Sequence, residues 1–183
     1  VANLVIVNPG GEQHRSTIAY DRLTGKIVWA AGNYLAGYAS PQYGVINDAP
    51  QVIVFHGQGI SGHELVDGRE LWSFPWVNQP KVNAAQPILF DDGSIFFGCS
   101  YGKGSARIEV RRGDTDAWHA VERYKSPKFR PKFNDFVLKD GFIYGLDDGI
   151  LCCVEAETGK VKWKDRAPCH HIRRCARTLA RRA

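Results

Sequence analysis

The 183-residue sequence has no methionine, and none of its apolar runs approaches the roughly 20 residues that span a bilayer. The missing methionine indicates a processed product or an excised fragment, and we favour a fragment of a longer protein. The short apolar runs predict no transmembrane segment. Nucleophile-elbow, glycine-rich phosphate-loop and zinc-protease motifs are also missing, so no catalytic residue is predicted.

The net charge of +5 comes from one end of the chain. Residues 166–183 hold six arginines and no acid, whereas the rest has 18 basic and 19 acidic residues. The body has no interleaved basic and aromatic patch, so nucleic-acid binding is not predicted. We interpret the tail as out-of-frame or vector-derived sequence. The alternative is a short basic amphipathic helix that contacts acidic membrane or nucleic acid.

Cysteine and histidine give no metal site. The tail residues Cys169, His170, His171 and Cys175 are possible soft-metal ligands, but their spacing matches no common zinc pattern. The total of five cysteines is odd and implies no regular disulfide framework.

An internal repeat dominates the sequence, with an aromatic residue four positions after a turn glycine. Three copies are clear, at Gly25/Trp29, Gly68/Trp72 and Gly159/Trp163. The interval between the second and third tryptophans is about twice that between the first two, which predicts a degenerate fourth copy at 106–126 with Tyr124 in the tryptophan position. These aromatic residues are predicted to wedge between neighbouring units.

Short runs rich in β-branched and aromatic residues precede each copy and are separated by Asp, Asn or Gly turns. Such runs predict strands, and no stretch before the tail has helical periodicity. The predicted fold class is all-β, a β-propeller segment of about four four-stranded antiparallel blades. The blades lie near 1–32, 38–76, 84–126 and 132–165, and the first is predicted to lack its inner strand.

The stretches AYDRLTGKIVW and CVEAETGKVKW resemble the blade motif of pyrroloquinoline-quinone-type repeats, roughly A-x-D-x-x-T-G-K-x-x-W. The resemblance implies a propeller of seven or eight blades, larger than this chain supplies. It also implies an exported, periplasmic bacterial protein. We expect a non-catalytic binding or scaffolding module without a cofactor. The alternative is a segment of a quinoprotein alcohol or sugar dehydrogenase, which requires pyrroloquinoline quinone and Ca²⁺.

The candidate binding face carries the longer links between blades, since the opposite face receives only tight hairpin turns. The inner strands are predicted to begin beside the central channel at Ser40, Gln86 and Asp135. A small molecule or a polypeptide at this channel mouth would meet Tyr38, His56, Gln86, Tyr101, Lys132 and Asn134. The alternative is that these groups only solvate the mouth. His14, His56, His63 and His119 are expected at surface or edge positions.

Two further expectations concern packing. The adjacent Cys152 and Cys153 resemble the vicinal pair that some quinoprotein dehydrogenases carry beside the quinone. However, they fall in the third strand of a blade, where neighbouring side chains point to opposite faces. They are therefore predicted to be two buried thiols that pack against the adjacent blades. Exposed blade faces and unpaired strands predict self-association with a second copy.

Overall fold

The computed structural model describes Val1 and residues 3–165, which form fifteen strands and no helix. Unit 1 has β1 (Leu4–Val7), β2 (Thr17–Asp21) and β3 (Ile27–Ala31). Unit 2 has β4 (Gln42–Ile46), β5 (Ala49–His56), β6 (Gly59–Glu64) and β7 (Glu70–Pro75). Unit 3 has β8 (Ile88–Leu89), β9 (Ser94–Cys99), β10 (Gly104–Arg112) and β11 (Trp118–Ser126). Unit 4 has β12 (Val137–Lys139), β13 (Phe142–Asp147), β14 (Ile150–Glu155) and β15 (Val161–Asp165).

Each unit is one antiparallel sheet whose strands follow chain order. Units 2, 3 and 4 have four strands, whereas unit 1 has three and begins with the strand that is second in the others. The prediction of an all-β propeller segment is confirmed. Both interpretations of the arginine-rich tail, and its cysteine and histidine residues, lie outside the described residues.

Three segments join successive units and are named link 1 (32–41), link 2 (76–87) and link 3 (127–136). They lie beside the turns between the second and third strands. Gly57 N in one such turn donates to the Leu35 carbonyl of link 1 at 2.9 Å, and Asp148 N donates to the Arg130 carbonyl of link 3 at 3.1 Å. The links and these turns therefore form one surface, named the link face.

The same strand irregularity recurs in every unit. The third strand shifts register just after the residue that faces the outer aromatic ring. The facing pairs are Ala19–Trp29, Gly62–Trp72, Arg107–Tyr124 and Cys153–Trp163. Tyr124 thus occupies in unit 3 the register position that tryptophan occupies elsewhere. The bulge therefore recurs at the same place in the repeat, next to the outer aromatic residue.

The outer aromatic residue reaches into the next unit. Trp29 Nε1 donates to the Leu65 carbonyl at 3.0 Å, and the Tyr124 hydroxyl donates to the equivalent Ala156 carbonyl at 2.6 Å. The indole also lies on the turn glycine of that unit, since a Cβ at Gly68 would lie 2.4 Å from Trp29 Cε3. The repeat glycine therefore has two functions: it adopts a positive φ of 76° and leaves room for the ring.

The second repeat departs from this arrangement. Trp72 Nε1 donates to Gln51 Oε1 at 2.7 Å within its own unit. In unit 3 the outer hairpin is longer, and Trp118 at the start of β11 packs against the apolar cluster between units 2 and 3. Arg112 lies 5.4 Å from the centre of the Trp118 ring. The extra aromatic residue of the degenerate repeat therefore supports the hairpin.

Apolar clusters fill the spaces between consecutive units. Between units 2 and 3, Phe97 lies 5.3 Å from both Phe55 and Trp76, measured between ring centroids. Between units 3 and 4, the rings of Phe96 and Phe136 are 5.2 Å apart at 81°. Edge-to-face contacts of this kind stabilise a core beyond the area that they bury. The units are thus held together chiefly by side chains that cross between sheets.

The adjacent cysteines lie in β14, the third strand of unit 4, as buried free thiols. Cys152 belongs to the apolar cluster between units 3 and 4. Cys153 faces Tyr144 on one side and Trp163 on the other within its own sheet. The prediction of two buried strand thiols is confirmed. Cys152 packs against the adjacent unit as expected, whereas the packing of Cys153 against a following blade stays a prediction, because such a blade would lie outside the described residues.

Candidate functional site

In units 2, 3 and 4, the last residue of the second strand holds a link in place. These residues are His56, Cys99 and Asp147, and each is at most 2% exposed. Their link partners are Tyr34 for His56, Asn78 for Cys99 and Arg130 for Asp147. One position in the repeat therefore anchors the link face in three chemically different ways.

His56 anchors link 1 by stacking. Its ring lies 3.8 Å from that of Tyr34 at an interplanar angle of 11°, and its Nδ1 accepts a hydrogen bond from Gln58 N at 3.2 Å. Its Nε2 has no partner among the described residues. Burial, aided by the nearby His63, lowers the pKa of His56 to about 3. This candidate ligand group is therefore a neutral ring inside the protein.

His63 is fully buried as well. Its Nε2 lies 2.9 Å from Ser61 Oγ, and its Nδ1 lies 3.0 Å from the Gly68 carbonyl oxygen. Burial lowers its pKa. The expectation that His56 and His63 are surface or edge residues is wrong, because each side chain lies within the sheet packing. His14 and His119 are exposed.

Asp147 anchors link 3 through charge. Its Oδ1 accepts hydrogen bonds from Arg130 N and Nε, both at 2.9 Å, and its Oδ2 accepts one from Lys164 Nζ. Burial alone would raise the pKa of this carboxyl, but the hydrogen bonds from Arg130 and Lys164 lower it. Asp147 is thus an ionised carboxylate that fixes the backbone of link 3.

The inner strands begin beside one another, and polar contacts join them. Gln86 Nε2 donates to the Ser40 carbonyl at 3.1 Å, and Gln86 N donates to Asp135 Oδ1 at 2.7 Å. Nearby, Tyr38 N donates to the Asn83 carbonyl at 2.8 Å. The structure therefore brings Ser40, Gln86 and Asp135 together, and Gln86 connects the starts of the three inner strands by hydrogen bonds.

The other candidate residues are open to solvent. Tyr38 is 72% exposed, Tyr101 is 38% exposed, and Lys132 and Asn134 are also exposed. Lys132 Nζ lies 5.4 Å from the centre of the Tyr101 ring and 5.9 Å from that of Phe133, which is itself 59% exposed. Lys132 and Tyr101 thus form a cluster on the link face, joined by Phe133.

The carboxylates of this face are already engaged. Asp147 pairs with the cations of Arg130 and Lys164, and Asp148 Oδ2 lies 3.2 Å from Arg130 Nε. Asp135 accepts a hydrogen bond from the backbone N–H of Gln86. Within residues 3–165 no three Asp, Glu, His or Cys side chains are grouped to hold a metal. A quinoprotein site needs a carboxylate base and an oxygen-rich calcium cage. The donor set of these residues does not fit that group.

The comparison with known families decides the assignment. The sequence profile of the family described as outer membrane protein assembly factor BamB matches residues 1–165. The chain belongs to this family. Among solved structures, BamB from Moraxella catarrhalis has the same fold, with a TM-score of 0.57 and 15% identity. The match covers 88% of this chain and 48% of that BamB, so the chain spans about half of its length.

No protein from the curated set matches this BamB-family sequence. The part of the chain that the structure describes contains no helix with the length and apolar character needed to cross a membrane. Because many functions share one propeller fold, the function must be inferred from the link face.

Sequence reasoning missed the residues that shape this face. Asn83 is fully buried, and its Nδ2 donates to the carbonyls of His56 at 2.7 Å and Trp76 at 3.1 Å. Asp147 and Arg130 were also missed as a pair. Aligning the repeats could have found two of these residues, because His56 and Asp147 each stand at the end of the second strand of a unit.

Proposed function

We propose that this chain is part of a non-catalytic BamB-type scaffold whose link face binds polypeptide. The carrying observation is a set of exposed aromatic rings on the link face, with Tyr38 and Phe133 on links and Tyr101 in the turn between β9 and β10. Rigid loops that present aromatic rings are typical of protein-binding surfaces, because little conformational entropy is lost on binding. The family supports an exported, periplasmic location in a bacterium.

Two features favour binding over catalysis. The carboxylates of the link face are engaged in ion pairs or backbone contacts, which leaves no unpaired base beside the channel mouth among them. His56, the imidazole nearest to the links, is only 2% exposed and cannot meet a substrate from solvent. A general base must accept a proton from the substrate, whereas these groups already accept hydrogen bonds from the protein or are buried.

The test uses peptides selected against the purified chain from a displayed random library. Replacing Tyr38 and Tyr101 together by alanine is expected to weaken the selected peptides about tenfold, since aromatic anchors dominate such interfaces. Leu23→Ala is the matched control, because Leu23 is 78% exposed in the β2–β3 hairpin, away from the links. Equal binding by the double variant and the control would contradict the proposal.

A separate measurement addresses the quinoprotein alternative. The chain is mixed with pyrroloquinoline quinone and Ca²⁺, and quinone absorbance is followed after gel filtration. We expect no quinone to remain with the protein, because no calcium cage is assembled within residues 3–165. Stoichiometric retention that depends on Ca²⁺ would instead favour the dehydrogenase interpretation.

A further inference from the structure

Link 3 differs from the other links in charge. Link 1 has no charged residue and link 2 has only Lys81, whereas link 3 together with the end of β11 before it carries four basic residues and one acid, Asp135. The four are Lys125, Lys128, Arg130 and Lys132. Because a link runs from the outer strand of one unit to the inner strand of the next, these cations follow one another along the chain from the rim toward the channel mouth.

Ion pairing divides these cations into two groups. Arg130 contacts Asp147 and Asp148, and Lys164 contacts Asp147 and donates to the Lys128 carbonyl at 2.6 Å. These two cations therefore fix the link backbone. Lys128 and Lys132 have no carboxylate partner within residues 3–165. The buried carboxylate thus holds the link in place and leaves lysines facing solvent.

The outer end of this line is a groove. It has a volume of about 390 Å³ and is lined by Lys125, Lys128, Thr158 and Lys160, with no carboxylate. Lys125 Nζ pairs with Glu122 at 2.6 Å, but both side chains are substantially exposed, so this pair is weak and can exchange. Lys125, Lys128, Lys132 and Lys160 are named the basic strip.

The matching groove between units 1 and 2 shows that the charge is not a feature of the repeat. That groove is lined by Asp67, Arg69 and Glu70, which are of mixed sign. At its inner end the basic strip meets rings instead, because Lys132 lies against Tyr101 and Phe133. The strip therefore combines the exposed Lys125–Glu122 pair and three lysines that have no carboxylate partner within residues 3–165 with an aromatic end.

We propose that the basic strip docks an acidic, extended polypeptide segment, with carboxylates along the lysines and an apolar side chain against Tyr101 and Phe133. This proposal rests on the proposed function and specifies its ligand. An extended polypeptide fits because three lysines line the groove and the fourth, Lys132, lies further along link 3 against Tyr101 and Phe133. The chain's own tail does not fit, since residues 166–183 hold six arginines and no acid.

The experiment measures fluorescence anisotropy of a short labelled peptide in which glutamate alternates with valine and which ends in phenylalanine. A second peptide has glutamine in place of glutamate. We expect the glutamate peptide to bind more tightly, and its affinity to fall as salt rises to about 0.3 M, because exposed charges are screened. The Lys128→Glu, Lys132→Glu double variant is expected to bind it about tenfold more weakly.

The control is the Lys26→Glu, Lys139→Glu double variant, which makes the same change in net charge at two exposed lysines in hairpins away from the link face. It is expected to bind the glutamate peptide as the parent does. If the glutamate and glutamine peptides bind equally well, and the Tyr38→Ala, Tyr101→Ala double variant binds neither, the basic strip is not the docking site. Polypeptide binding by the link face would still stand in that case. Binding only to anionic lipid vesicles, abolished by the lysine reversals, would also overturn it and assign the lysines to a membrane surface.

Discussion

Protonation of His56 gives a pH test of the link anchors. The buried ring stacks on Tyr34 and is held neutral, with its pKa lowered to about 3 by burial. In the unfolded chain the same imidazole has a pKa near 6.5. As pH falls below about 6.5, His56 binds a proton in the unfolded chain, whereas in the folded chain it stays neutral down to about pH 3. The folded state must therefore lose stability on acidification, beginning near neutral pH.

The magnitude follows from the two pKa values of His56. Between pH 7 and pH 5, the difference in proton uptake by this one side chain removes about 2 kcal/mol from the free energy of unfolding. Burial lowers the pKa of His63 too, so its contribution has the same sign. Most aspartate and glutamate side chains remain ionised above pH 5, which makes this interval diagnostic for histidine.

The assay is urea unfolding followed by tryptophan fluorescence at pH 7 and pH 5. Trp29, Trp72 and Trp76 are buried, so unfolding will shift their emission. The variant His56→Phe keeps an aromatic ring on Tyr34 and cannot be protonated. We expect its loss of stability on acidification to be smaller than that of the parent by about 2 kcal/mol. The same loss in both proteins would refute the reasoning about the anchor.

Three further predictions concern packing. Gly68→Ala is expected to lower the free energy of unfolding in urea by about 2 kcal/mol or more, and Gly25→Ala by only about 1 kcal/mol. Both glycines have a positive φ, but only Gly68 lies under the ring of Trp29, so equal losses would contradict this packing. Asp147→Ala should lose about 2 kcal/mol and speed proteolysis of link 3, because the backbone N–H of Arg130 and the cations of Arg130 and Lys164 lose their shared buried acceptor. Unchanged cleavage would count against the anchor. The chain is also expected to self-associate in sedimentation velocity through the exposed faces of its end units; a monodisperse monomer at micromolar concentration would contradict that.

The outer half of each unit was readable from the sequence because its interactions are local or repeat at a fixed interval. The turn glycine, the outer aromatic residue and the residue that faces it all lie within one hairpin. Their spacing therefore predicts both the sheet and the residue that crosses to the next unit. Even the degenerate repeat followed this rule, since Tyr124 reaches the Ala156 carbonyl much as Trp29 reaches that of Leu65.

The link anchors could not be read in this way. Asp147 and Arg130 lie 17 residues apart in different elements, and His56 and Asn83 lie 27 apart. No local pattern marks such pairs, and the polar residue types involved are mostly found at protein surfaces. The expectation of an exposed His56 failed for this reason, because a tertiary stacking contact with Tyr34 overrode the usual preference.

The contrast between the two halves of a unit bears on how this surface acquires specificity. The outer aromatic residue is constrained in units 1 and 3, since Trp29 and Tyr124 lie against Gly68 and Gly159 of the next unit. The anchor position is free to vary, provided that its side chain fills the site and satisfies the link. In unit 4 the anchor is Asp147, and a buried carboxylate requires cations beside it. Arg130 and Lys164 meet that requirement, so the neighbouring lysines stay unneutralised and give link 3 its charge.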